Sequence, residues 1–115
     1  MFGVNTAVWD GVFSDSQTLA TLQGMDARFL RFPGGSSSDD YIWTNNTSTE
    51  GANAGSTNFD GFAVQALAIN AQVVITTNYG TGTPALAAQW VQYSNVTKGY
   101  GFKYWEIGNE CYGTW

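Results

Sequence analysis

The chain has no histidine, one cysteine and two prolines in 115 residues. Without histidine, Ser-His-Asp and Cys-His nucleophile systems and most zinc sites are excluded in one step. The single cysteine, Cys111, excludes an internal disulfide. Charge is also scarce: 11% of residues are charged, four basic against nine acidic, for a net charge of −5. With no basic cluster, that balance argues against binding to nucleic acid or to an anionic membrane. No apolar run approaches the length of a membrane span. The N-terminal "MFGVNTAVWD" has neither a charged n-region nor an apolar h-region, so no signal peptide is visible.

What is present is 43% hydrophobic and 16% aromatic residues, the composition of a globular chain. Acid–base chemistry is left to carboxylates, and recognition to five Trp, six Tyr and abundant Asn and Thr. Few charges with many aromatics and amides suit a neutral, hydroxyl-rich ligand such as a carbohydrate. An aromatic-rich core accounts for the same rings.

"FGVNTAVW" (residues 2–9) is short, β-branched and aromatic, and reads as a strand. "SDSQTLATLQGM" follows as a helix, with Ser14 and Gln17 in capping-box spacing, Leu19 and Leu22 on one face, and Gly24 as the stop. "ARFLRFP" (27–33) is a second strand, ended by Pro33 and the turn "GGSSS". A long polar loop, 34–57, carries Asp39, Asp40, Tyr41 and Trp43. "NFDGFAVQALAINA" sets Phe59, Phe62, Ala63, Ala66 and Ile69 near one helical face. "QVVITTN" (72–78) is the third strand. "TPALAAQWVQYSN" opens a helix with Thr83 as N-cap and Pro84 at its first position, and turns Leu86, Trp90 and Tyr93 inward. "FKYWEIGNE" is the fourth strand.

Strands alternating with helices imply an α/β fold, a parallel sheet with right-handed crossovers. The long loop follows the second strand, on the carboxyl side of the sheet, where α/β folds place their ligands. A four-strand sheet ending on a strand has an uncovered face and two open edges. The expectation is therefore a truncated (β/α)₈ TIM barrel: residues 1–115 as the N-terminal half, its first four βα units, with the remaining half absent. The rival, a complete doubly wound domain, lacks its last helix.

Glu110 is the leading candidate for chemistry. A carboxylate at the mouth end of a barrel strand meets substrate and partial desolvation together, which suits a proton donor. Glu106 shares its face by the period of two, but four residues of strand separate them by roughly 13 Å. Retaining glycosidases hold their carboxyl pair about 5–5.5 Å apart and inverting ones about 6.5–9.5 Å. Glu106 is thus expected deeper in an interior ion pair or hydrogen-bond network, with Arg28 or Lys103 as its partner. Arg31, late in the second strand, either aims into the mouth to fix a carboxylate or makes an ordinary salt bridge to Asp26 or Asp39. Trp43 and Tyr41 either stack on a sugar ring or anchor the loop. Asp39 and Asp40 read as cap or turn residues. "YGTGTP" places glycines before a helix but lacks the Gly-Lys-Ser/Thr ending of a phosphate loop.

Together "LRFPGGSSSDDYIW", "NYGTGTPALAAQWVQYSN" and "KYWEIGNE" resemble the retaining glycoside hydrolases of clan A, nearest the α-L-arabinofuranosidases of family 51 and their relatives. The resemblance implies a (β/α)₈ barrel with an acid/base Glu ending strand four and a nucleophile Glu ending strand seven. Carried over by position, Glu110 is the acid/base, and Asn109 is similar to the Asn that hydrogen-bonds the sugar's 2-hydroxyl. Arg31 matches an Arg supporting the nucleophile, and Trp43 an aromatic of a Y-x-W segment near the glycone. Alternation along a strand would turn Asn109 away from Glu110, so the family geometry requires a bulge or twist there. Two positions depart from the family: Ser36 stands where family 51 has Asn, and the first-strand region offers Asn5, Trp9 and Asp10 in place of a sugar-binding Glu. The resemblance implies carbohydrate as the partner and no metal or organic cofactor; the composition and that substrate class point to a secreted or extracellular location. Alternatives within reach of the same residues are a non-catalytic carbohydrate-binding barrel and an endo-β-glucanase or xylosidase of the same clan.

Overall fold

A computed structural model describes residues 2–48 and 57–113. Its elements run β1 (Phe2–Asn5), α1 (Ser16–Gly24), β2 (Ala27–Phe32), a 3-10 turn (Ser36–Asp39), α2 (Phe59–Ala68), β3 (Gln72–Thr77), α3 (Pro84–Gln92) continued by a π-helical turn (Tyr93–Thr97), and β4 (Tyr104–Ile107). The four strands form one parallel sheet in the order β1-β2-β3-β4. Sequential neighbours joined by helices are the arrangement that right-handed βα crossovers produce.

Each helix begins where a side chain can accept from its free N–H groups. Asp15, not Ser14, caps α1, its carboxylate accepting from Thr18 N at 2.7 Å. The correction is one residue, and an aspartate one position closer to the helix supplies the stronger acceptor. Asn58 caps α2 through Gly61 N at 2.8 Å, and Thr83 caps α3 through Leu86 N at 3.1 Å, ahead of Pro84.

The sheet has two unlike faces. Leu30, Phe32, Val73 and Ile75 point under the helices and are buried, as are Phe59, Phe62, Ala63, Ala66 and Ile69 of α2 and its C-terminal cap. Phe32 is the centre of this layer. Its ring stacks on Phe62 with centroids 4.6 Å apart and meets Tyr41 edge-on at 5.5 Å. Trp90 of α3 packs on Phe59 at 5.2 Å and on Trp43 at 6.0 Å. The other face carries Phe29, Arg31, Val74, Thr76, Tyr104 and Glu106, and is only partly covered. On it, the Phe29 and Tyr104 rings lie 6.4 Å apart, Phe29 two residues before Arg31 in β2 and Tyr104 two before Glu106 in β4. The strands are shorter than the sequence suggests. β1 stops at Asn5 and β4 at Ile107, because the chain turns immediately afterwards.

The turn after β2 is built on Phe32-Pro33, whose peptide bond is cis, and on Gly34 at φ +85°. A side chain at Gly34 would place its Cβ 1.8 Å from Thr6 O, so the β1 and β2 ends close on each other only over glycine. Gly34→Ala should cost at least about 3 kcal/mol, combining left-handed strain with a backbone clash. Urea denaturation measures it; a loss below about 1 kcal/mol would show that the two strand ends separate easily.

Candidate active site

Arg31 is the penultimate residue of β2, and its guanidinium lies across the carboxyl ends of the strands. Its Nε donates to Glu106 Oε2 at 2.8 Å, Nη1 to Asn5 Oδ1 at 3.0 Å and Nη2 to Asn109 Oδ1 at 3.0 Å. Thr76 Oγ1 of β3 donates to the same Glu106 oxygen at 2.8 Å. One residue from every strand, or from its immediate exit, therefore meets at this cluster.

Glu106 is not deep, and its partner is neither Arg28 nor Lys103. Arg28, at the far end of β2, pairs with Asp26 instead. The reason is the length of β4: Ile107 is its last residue, so Glu106 sits one step from the mouth, level with Thr76 in the strand register. The same pairing settles Arg31, whose carboxylate partner is Glu106 rather than Asp26 or Asp39.

Beyond Ile107 the chain leaves the sheet through two left-handed residues, Gly108 at φ +75° and Glu110 at φ +50°. Gly108 N still donates to Thr77 O at 3.1 Å, the last rung of the ladder. The two positive φ values on either side of Asn109 supply the twist that simple alternation lacks. Asn109 is buried, with its N–H donating to Asp39 Oδ1 at 3.0 Å and its Oδ1 held by Arg31. Among the described residues, none accepts a hydrogen bond from its Nδ2. Glu110 is exposed beside it, bordering a cleft of about 380 Å³ that Arg31, Glu106 and Asn109 also line. The Tyr112 hydroxyl is hydrogen-bonded to Glu110, and that bond with the carboxylate's charge raises the phenol's pKa. A left-handed conformation at a non-glycine residue costs about 1–3 kcal/mol and is concentrated at functional positions.

The other residues singled out from the sequence lie elsewhere. Ser36 is exposed at the start of the 3-10 turn. Tyr41 is 1% exposed, its hydroxyl donating to Asn46 Oδ1 at 2.8 Å, and burial pushes its pKa upward. No face of its ring is open to a ligand. Trp43 is half-buried, stacked on Trp90 and donating from Nε1 to Leu86 O at 3.1 Å. It borders a separate cleft of about 450 Å³ with Asn45, Asn46, Asn58 and Tyr93. Asn5 joins the site through Arg31. Asp39 and Thr76 were not expected there, and neither carries a local signal, since their partners are 70 and 30 residues away in the chain. In "YGTGTP" two of the amides a phosphate would need are already bonded: Asn78 Oδ1 accepts from Thr81 N at 2.9 Å and Gly82 N at 2.8 Å. Among the described residues, no three His, Cys, Asp or Glu side chains gather as metal ligands would.

No family model matches the chain. It is 26% identical over 124 aligned residues to a probable α-L-arabinofuranosidase C of Aspergillus fumigatus, covering 84% of this chain. It is 26% identical to a solved family 51 α-L-arabinofuranosidase from Thermotoga petrophila, with a TM-score of 0.68 over 84% of this chain. The whole chain superposes on an α-L-arabinofuranosidase from Thermotoga maritima, in complex with arabinose, with a TM-score of 0.79 at 23% identity. The chain resembles the family 51 α-L-arabinofuranosidases. Its four parallel strands and their helices match the N-terminal βα units of the TIM barrel in the family 51 structures. It spans 25% of the length of the curated Aspergillus relative and 33% of the Thermotoga maritima chain.

Burial alone would raise the Glu106 carboxyl, but hydrogen bonds from Arg31 and Thr76, with the Arg31 charge, outweigh it and hold the group below its ordinary 4.5. Asp60 behaves alike: burial opposes, and Lys98, Tyr93 and Tyr100 prevail, all three donating to its carboxylate. A carboxyl lowered by folding contributes its full stabilisation above the unfolded value and loses it as pH falls through the folded value. Stability should therefore decline from pH 4.5 downward. Glu106→Gln should flatten part of that decline in urea titrations at stepped pH; an unchanged slope would mean that the Arg31 pair is not formed in solution.

Proposed function

We propose that this chain supplies the first four βα units of a retaining glycoside hydrolase of α-L-arabinofuranosidase type, with Glu110 as its acid/base. The observation that carries the reading is the Arg31 cluster, which presents Asn109 and Glu110 side by side at the carboxyl edge of a parallel sheet. The identity of the family 51 relatives supports the substrate class, a carbohydrate with a glycosidic bond to arabinofuranose.

In this reading, Glu110 protonates the leaving glycosidic oxygen while a carboxylate from a later strand of the barrel attacks the anomeric carbon. Glu110 then takes a proton from the water that releases the covalent glycosyl-enzyme. Asn109 has its amide oxygen occupied by Arg31, so it offers Nδ2–H to the sugar's 2-hydroxyl, a contact that strengthens as the oxocarbenium-like transition state forms. Arg31 spends one hydrogen from each of its three nitrogens on Glu106, Asn5 and Asn109. The second hydrogens of Nη1 and Nη2 remain to orient the incoming nucleophile carboxylate. Ser36 and Asn5, standing where the family has Asn and the region where it has a Glu, would reshape the sugar contacts. Tyr41 takes no part, and Trp43 acts by holding the loop. An extracellular location, where polymeric arabinosides are met, belongs to the same proposal.

Glu110→Gln in the protein with its complete barrel should lower turnover of substrates with poor leaving groups by about 10²–10⁴-fold, the usual worth of general acid catalysis. Activated aryl arabinofuranosides should suffer far less in their first step. Near-normal turnover of an unactivated arabinoside by the variant would rule out the assignment, whereas sugar binding without turnover by the unsubstituted protein would favour the non-catalytic carbohydrate-binding reading.

A further inference from the structure

The sheet does not by itself fix where Glu110 stands. Its last rung is Gly108 N to Thr77 O; the following turn closes through Gly113 N to Glu110 O at 3.0 Å and returns to β4 by a weak thiol bond, Cys111 Sγ to Ile107 O at 3.4 Å. Between them Asn109 is held from two sides: Arg31 grips its side chain, and Asp39 accepts its backbone N–H at 3.0 Å. We propose that Asp39 is a positioning residue for the acid/base, setting the location of Glu110 through the Asn109 backbone; this rests on the reading of Glu110 given above.

The placement of Asp39 is specific. It ends the 3-10 turn after β2, and its own carbonyl accepts Thr81 N at 3.1 Å, which ties that turn to the β3–α3 loop. A Cβ on Gly80 would lie 2.6 Å from Asp39 O, and one on Gly108 would lie 3.2 Å from Asp39 Oδ1. Asp39 thus sits in a slot between two loops that approach it over glycine. A carboxylate accepting a backbone N–H makes a charge-assisted bond, about twice as strong as a neutral one. Removing it leaves Asn109 itself held by the Arg31 side-chain bond, with only the Gly108 rung before it and the weak Cys111 thiol bond after it, beside a left-handed Glu110 that already stores strain. A shift of about 1 Å in a catalytic group costs about 100-fold.

The test compares Asp39→Ala, Asp39→Asn and Glu110→Gln in the complete-barrel protein, on aryl and alkyl α-L-arabinofuranosides of graded leaving-group acidity. Asp39→Ala should lose about 100-fold in kcat on the poorest leaving groups, little on the most activated, with KM nearly unchanged. Asp39→Asn, which keeps the Oδ1 acceptor, should recover most of that loss. A residue of purely structural importance would depress all substrates alike. If Glu110→Gln shows the leaving-group dependence and Asp39→Ala does not, the role of Asp39 is overturned while the acid/base assignment stands. If Glu110→Gln shows none, the acid/base assignment falls and the inference falls with it. Hydrogen exchange at the Asn109 amide of the unsubstituted protein decides the matter even where Asp39→Ala does not fold. Slow exchange supports the tether, and exchange at the rate of a free amide overturns it.

Discussion

A single guanidinium holds the carboxyl end of this sheet together. Among the described residues, Arg31 is the basic side chain lining the cleft beside Glu106 and Glu110, and it reaches β1 through Asn5, β4 through Glu106 and the post-β4 turn through Asn109. Lysine could not replace it, because a point charge on one nitrogen cannot bond three acceptors lying in different directions. The pair with Glu106 also explains Thr76, whose hydroxyl satisfies the remaining demand of the shared carboxylate oxygen. Break this fork and the strand ends lose their mutual alignment before any substrate contact is considered.

The fold was legible because its patterning is consistent from end to end. β-branched and aromatic runs alternate with helices whose apolar faces repeat at 3–4 residues, and in α2 and its C-terminal cap all five residues assigned to that face are buried. The carboxyl-edge location of the site followed from topology alone. Glu110, Asn109, Arg31 and Asn5 were visible as candidates, and the structure brings them to one cluster.

What could not be read was depth and long-range pairing. Glu106 looked four strand residues below Glu110, but the strand ends at Ile107 and the turn at Gly108 carries Glu110 out of line. Tyr41 sits in a polar stretch, yet its neighbour in space is Phe32, which draws it into the core. Asp39 reads as a turn residue from its neighbours in sequence, and only the fold reveals an N–H 70 positions later aimed at it. These are errors of tertiary context acting on sound local chemistry.

The loop after β2 is fastened at two points with different jobs. Asp39 secures its first part to the β3 and β4 exits, while Trp43, wedged on Trp90 and bonded to Leu86 O, secures its next part to α3. The two fastenings hold different parts of the loop, so the contact of Asp39 with the Asn109 N–H does not depend on how Trp43 packs. The sequence beyond Trp43 can then change in length and composition at little cost to the end of the sheet, because the tie between Asp39 and Asn109 lies wholly on the other side of the Trp43 anchor.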